Sequence, residues 1–200
     1  SSIELPELRV GATYNETVVF GSVKEVMTNA RTHQERGLFV DDNTSVFGEI
    51  AIKQLFGLTL GFEFGSDGKS DTMNRTLRSN GGVSDDTGTQ TVSIALDDSE
   101  SVYVLIPIMD TGMYVKLGQT ETNVVTKETL ATGSTYGNLG LSGDLVGMGY
   151  QKNLTDLFFV RAEGQYVEYG NGSVTGSGGH KISLNDAGSV SAKFSLGIKY

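Results

Sequence analysis

The 200-residue chain has no cysteine, no tryptophan and only 2 prolines. Without cysteine it holds neither a disulfide framework nor a thiolate-bound metal. It also lacks any run of the ~18 apolar residues that a membrane-crossing helix requires, a test that misses β-barrels, whose signal per segment is weak. Cations are in deficit, 15 Lys and Arg against 24 Asp and Glu, for a net charge of -9. This argues against nucleic acid as a partner, because phosphate binding needs clustered Lys and Arg. The opening Ser1-Ser2-Ile3-Glu4 has no basic segment followed by an apolar one. No signal peptide is therefore expected in this stretch, and a secreted precursor would have been cut before Ser1.

What the chain does have is glycine, 27 residues of it, and an apolar content of 38%. The length and apolar content suit one domain, expected over residues 1–200. Plentiful glycine with scarce proline suits long strands joined by loops.

The informative pattern has a period of two. Eight segments alternate apolar with polar or small residues: 8–19, 45–54, 58–65, 100–109, 113–119, 139–152, 157–169 and 190–200. Such alternation is the mark of a two-sided strand. In the third, Leu58, Leu60, Phe62 and Phe64 oppose Thr59, Gly61 and Glu63. The fourth is the least clean, with Tyr103, Leu105 and Pro107 on its second face.

The connections alternate as well. Leu55-Phe56-Gly57, Asp110-Thr111-Gly112 and Asn153-Leu154-Thr155-Asp156 read as tight turns. Between them lie long polar connections, 20–44, 66–99, 120–138 and 170–189. A compact soluble domain seldom carries several structureless loops of this length. An outer-membrane barrel has short turns at its periplasmic end and long loops outside. The expected fold is all-β, an eight-stranded antiparallel up-and-down transmembrane β-barrel with three short periplasmic turns and four long extracellular loops.

Alternation alone does not say which face meets lipid, since a soluble ligand-binding barrel alternates with its apolar face inward. The polar faces carry charges deep within the strands: Arg9, Glu49, Lys53, Glu63, Lys116, Arg161, Glu163 and Lys193. Their mixed signs fit pairing across a narrow lumen. Aromatic residues recur near strand ends (Tyr14, Phe62, Phe64, Tyr150, Phe158, Tyr166, Tyr200), where membrane barrels carry interfacial girdles. Asp144 is the exception, an acid on the lipid side that a bulge or a late strand start would explain.

The last ten residues, Ser191 to Tyr200, alternate hydrophobic positions and end in an aromatic residue. They resemble the terminal strand of outer-membrane barrels, and the chain resembles the small eight-stranded OmpA/OmpX-like members of the outer-membrane β-barrel domain family. The resemblance implies outer-membrane lipid as the surroundings, and Phe194, Leu196, Ile198 and Tyr200 as the signal read by the barrel-assembly machinery during insertion. It transfers no catalytic residue, no cofactor and no metal. No peptidoglycan-binding tail of the longer OmpA type is expected.

Several patterns imitate chemistry. Asp86-Thr87-Gly88 and Asp110-Thr111-Gly112 resemble an aspartic protease pair, which must share a proton at hydrogen-bond distance. The expected topology puts them on opposite sides of a ~25 Å apolar band, as turn residues. His33 with Asp41 or Asp42 imitates a lipid acyltransferase; His180 is the second histidine, also in a loop. Asp41-Asp42-Asn43 and Asp67-Gly68-Lys69-Ser70-Asp71 offer oxygens to calcium without EF-hand spacing. An eight-stranded barrel is just filled by its side chains. The leading expectation is therefore a structural envelope barrel with a charge-filled lumen and outward loops, not an enzyme. The alternative is a narrow porin-like channel for ions or small solutes, with room beside the inward Gly11, Gly61, Gly118, Gly147, Gly149 and Gly197.

Overall fold

The computed structural model describes residues 5–26, 32–66, 71–76, 89–128, 137–179 and 181–200. They form ten strands: β1 (Glu7–Val26), β2 (Thr32–Ile52), β3 (Leu58–Gly65), β4 (Asp71–Thr76), β5 (Thr89–Pro107), β6 (Met113–Glu128), β7 (Leu139–Asn153), β8 (Phe158–Tyr169), β9 (Gly172–Thr175) and β10 (Lys181–Lys199). Eight of them make a closed antiparallel barrel in the order β1-β2-β3-β5-β6-β7-β8-β10, sealed where β10 pairs with β1. The short β4 and β9 add to the outer ends of β5 and β10. Closure leaves no open sheet edge in the barrel wall, which is what allows strands to lie in lipid.

At one end the connections are tight. A 3-10 turn, Lys53–Leu55, follows β2, and Phe56 and Gly57 then adopt positive φ of 57° and 81°. Glycine meets that requirement without steric cost. Lys53 belongs to this turn and is exposed, so it does not join the lumen as its place in the alternation implied. The chain leaves the strand path at Ile52, and the period of two ends with it.

At the other end the strands run on. β1 and β2 stay paired from Glu7↔Ala51 to Val26↔Thr32, and β10 runs beside β1 out to Val26↔Lys181, so the described part of 20–44 is paired strand and not the expected loop. β5 and β6 likewise stay paired out to Val92↔Glu128. A ribbon standing in water on both sides needs backbone pairing but no apolar face, which is why the alternation fades there. Bulges bend the extensions, between Phe20 and Ser22 on β1 and between Asp97 and Glu100 on β5. Residues 67–70, 77–88, 129–136 and 180, with the Asp67-to-Lys69 segment, Asp86-Thr87-Gly88 and His180, lie outside the described residues.

Burial is inverted relative to a water-soluble barrel. Val102 is 71% exposed and Phe194 62%, while Lys116 is 2% and Arg161 5% exposed. The apolar stripes of the barrel strands face out, and the charges of β2, β3, β6, β8 and β10 at Glu49, Glu63, Lys116, Arg161, Glu163 and Lys193 face in. The terminal positions Phe194, Leu196 and Tyr200 are exposed on the outside, and Ile198 is partly so.

Carboxylates interrupt the outward stripe, and on β2 and β10 exposed Val40, Leu38 and Val190 follow beyond them. Glu16, Asp42, Glu100, Glu121, Asp144 and Glu168 are all exposed, and the register sets them opposite one another as Glu16↔Asp42, Glu100↔Glu121 and Asp144↔Glu168. Like charges directly opposite destabilise a sheet unless solvent or counterions screen them. Asp144 is thus one member of this level, and neither ladder of β7 shifts register near it. From Leu8 to Glu16 a tilted strand climbs roughly 20 Å, close to the apolar height of such barrels.

Candidate functional site in the barrel lumen

The lumen is built in layers. Nearest the tight turns, Arg9 Nε lies 2.7 Å from Glu7 Oε1, and its Nη1 is 4.0 Å from Glu49 Oε2. Arg161 grips Glu49 with two bonds, Nη1 to Oε1 at 2.7 Å and Nη2 to Oε2 at 2.9 Å, and donates to Gln151 at 2.7 Å. This planar fork is the strongest form of the ion pair. Tyr103 donates its hydroxyl to Glu49 at 2.8 Å. The Arg161 guanidinium also lies 5.1 to 5.3 Å from the rings of Phe47, Tyr114 and Phe159.

One level up, Lys116 donates to Glu163 at 2.9 Å and to Glu63 at 3.3 Å. Its ammonium sits 4.1 Å above the Tyr103 ring. Lys193 donates to both oxygens of Glu63, at 2.7 and 2.8 Å, and Ser45 donates to the same carboxylate. Tyr114 donates to Glu163 at 2.8 Å. Four cations (Arg9, Lys116, Arg161, Lys193) therefore meet four carboxylates (Glu7, Glu49, Glu63, Glu163) across the barrel. Buried charges persist only when paired and hydrogen-bonded in this way.

Aromatic rings take up the rest of this half: Tyr103 and Tyr114 lie on the inward faces that the alternation gives them, and Phe47 and Phe159 join them. Phe47 lies opposite Gly11, Tyr103 opposite Gly61, Tyr114 opposite Gly149 and Phe159 opposite Gly197. Each ring covers the glycine facing it: a Cβ at Gly61 would come within 2.5 Å of the Tyr103 ring, and one at Gly11 within 2.5 Å of Phe47. Phe159 is fully buried. The inward glycines at these positions make room for rings and leave no open space beside the charges. Gly118 is also closed in, by Val102 and Tyr103 of the neighbouring strand, and Gly147 meets the Gly164 carbonyl.

Above the ionic layer the lumen turns to hydroxyls and amides. A cavity of about 60 Å³ is lined by Asn15, Thr17, Ser45, Ser101, Thr120 and Ser191, among others. It borders an apolar cluster of Leu141, Leu145, Val167, Tyr169 and Ala187, and at Gly65, Ser99 and Thr122 it adjoins a wider cavity of about 680 Å³ at the outer end.

Among the described residues, the remaining sequence candidates do not assemble. Asp41 faces inward and is buried while Asp42 faces outward, as successive strand residues must. They form no joint site, and the His33 side chain lies outside the described residues. Asp110, Thr111 and Gly112 form the exposed turn between β5 and β6. Among the described residues, no group of three or more His, Cys, Asp or Glu is placed to hold a metal.

No protein-family model matches the chain, and no curated protein matches its sequence. Solved structures do match its shape. Ail, the attachment invasion locus protein of Yersinia pestis, is 12% identical with a TM-score of 0.56, covering 98% of this chain and 100% of its own. OprG, an outer membrane protein from Pseudomonas aeruginosa, is 10% identical with a TM-score of 0.57, covering 98% and 97%. Identity this low speaks to fold alone. With lipid-facing oil, a closed ring of eight strands and these two likenesses, the chain has the fold of the small eight-stranded outer-membrane β-barrels.

Proposed function

We propose that this chain is a structural barrel of the Gram-negative outer membrane, with a sealed lumen and with surface interaction carried by its long outer hairpins. The observation that carries the reading is the lumen itself. Arg9, Lys116, Arg161 and Lys193 each pair with a carboxylate in its lower half, and aromatic rings fill the space between. Side chains so interlocked leave no continuous water column for a solute. No chemistry is assigned to the barrel: Asp41 and Asp42 face opposite ways, and Asp110 lies in an exposed turn.

The outer ends are the natural place for a partner. Loops and ribbons beyond a rigid scaffold commonly carry binding function. The Ail structure was obtained in complex with the heparin analogue sucrose octasulfate. A sulfated ligand of that kind does not suit this chain, whose net charge is -9 and whose outward rim is ringed with carboxylates. The outer hairpins are expected to prefer neutral or cationic partners. The tight turns then face the periplasm, and the assembly machinery would read β10 from that side.

Planar-bilayer recording of the refolded chain tests the sealed lumen. The expected outcome is negligible conductance. Long, stable open steps whose ion selectivity changes with Lys116→Met would instead establish the narrow-channel alternative.

A further inference from the structure

The charge balance of the lumen leaves one carboxylate over. Asp41 is 1% exposed on the inward face of β2, beside Asn43 and Ser45 and directly opposite Thr17 of β1. Its Oδ2 accepts a bond from Asn43 Nδ2 at 3.3 Å, and its Oδ1 has no protein donor. No cation pairs with it among the described residues. Its neighbours Thr17 and Asn43 line the cavity, which Lys193 also borders, but the Lys193 ammonium is engaged by both oxygens of Glu63.

The groups around Asp41 are rich in oxygen and poor in free donors. Asn15 directs its amide nitrogen to Asn43 Oδ1 at 2.7 Å and to Ser45 Oγ at 3.0 Å, which leaves its own Oδ1, also buried, without a donor. Ser101 donates to Thr120, Thr120 to the Glu100 carbonyl, and Thr122 to the Asp97 carbonyl. Thr17 and Ser191 bond to each other. A buried acceptor without a donor costs roughly 1–3 kcal/mol, and more when charged. Asn15 stands diagonally across the β1–β2 ladder from Asp41, a separation that side chains bridge through a shared neighbour.

We propose that the upper lumen is a site for a hard, oxygen-seeking cation, with Asp41 as its carboxylate ligand and Asn15 Oδ1 as its second anchor. Neutral hydroxyl oxygens and water complete the shell. Calcium takes six to eight oxygen ligands from such mixed sets. The cavity of about 60 Å³, lined by Asn15 and by Asp41's neighbours Thr17 and Asn43, has room for an ion with a few waters, since one water needs roughly 10–15 Å³. With one carboxylate, the site suits a weakly held ion. The inference needs only the closed barrel and is independent of the surface-interaction reading and of whether the lumen conducts.

Equilibrium dialysis of the refolded full chain against Ca²⁺ in a zwitterionic detergent, after chelator treatment, tests it. The wild type is expected to take up one ion per chain with a midpoint near a millimolar, as in weak extracellular sites. Asp41→Asn is expected to weaken uptake at least tenfold, and Asn15→Asp to strengthen it. The outward pair variant Glu100→Gln with Glu121→Gln should leave it unchanged. Heat-modifiable gel mobility reports whether each variant folds. If Asp41→Asn fails to fold, Asn15→Asp decides: stronger uptake supports the site, and equal or weaker uptake overturns it. The proposal is also overturned if the wild type shows no saturable uptake, if Asp41→Asn binds as the wild type does, or if the outward variant abolishes binding. In the first of these cases water and a proton occupy the place of the ion.

Discussion

Replacing Glu63 by Gln removes one negative charge from the centre of the lumen while keeping size and shape. Among the described residues, Glu63 is the sole carboxylate within salt-bridge distance of Lys193 and one of two that bind Lys116. Its oxygens accept bonds from Lys193 at 2.7 and 2.8 Å, from Lys116 at 3.3 Å, and from Ser45. The variant leaves two buried ammonium groups, 2% and 8% exposed at the side chain, with only Glu163 as counter-charge. Breaking a buried pair from one side costs about 3–5 kcal/mol, because the remaining charge has neither water nor partner. That is roughly two to three and a half powers of ten in the folding equilibrium. With a slope of about 1–3 kcal/mol per molar, the urea midpoint should fall by at least about 1 M.

Lys193→Met in the same chain removes the charge that Glu63→Gln strands. The double variant should recover a large part of the loss, since neutral, well-packed side chains replace buried ion pairs at little cost. Urea titration of the barrel refolded in lipid vesicles, followed by heat-modifiable mobility, measures all four species of the cycle. The reasoning is refuted if Glu63→Gln stays within about 0.5 kcal/mol of wild type, the range of an ordinary surface change. Strict additivity of the two substitutions would refute it as well, because contacting residues must couple.

Two further outcomes follow from the packing. Gly197→Val drives a branched side chain into the Phe159 ring and should cost about 1–3 kcal/mol or prevent folding, whereas Gly164→Ala meets open space outside the barrel and should be nearly neutral. Equal effects in urea titration would contradict the ring-over-glycine arrangement. On the lipid face, Leu196→Arg should cost about 2–4 kcal/mol in vesicles, and Glu121→Arg, at the carboxylate level, about 0–1 kcal/mol. A reversed order would place the apolar band elsewhere on the wall.

The eight alternating segments, the three tight turns and the mixed charges were legible because each depends on neighbours along the chain. A period of two assigns faces locally, and a charge deep in a strand points to the lumen when the opposite stripe is oil. Lys53 shows the limit of that reasoning, since the alternation reached it and the backbone did not. The segment 20–44 shows another: strands outside the apolar band are held by backbone pairing, and pairing leaves no signature in side-chain polarity.

What the amino-acid order alone determined is which stripe of each strand is oily and where the chain reverses. The partners were decided by closure. Glu63 and Lys193 stand 130 residues apart and Glu49 and Arg161 stand 112 apart. Their pairing exists only because β10 returns to β1 and folds the two faces of the sheet toward one axis. The same holds for the four rings over four glycines, and for the paired carboxylates that turn Asp144 from an anomaly into a boundary. Each of these is a relation between strands, and register and barrel curvature are what set such relations.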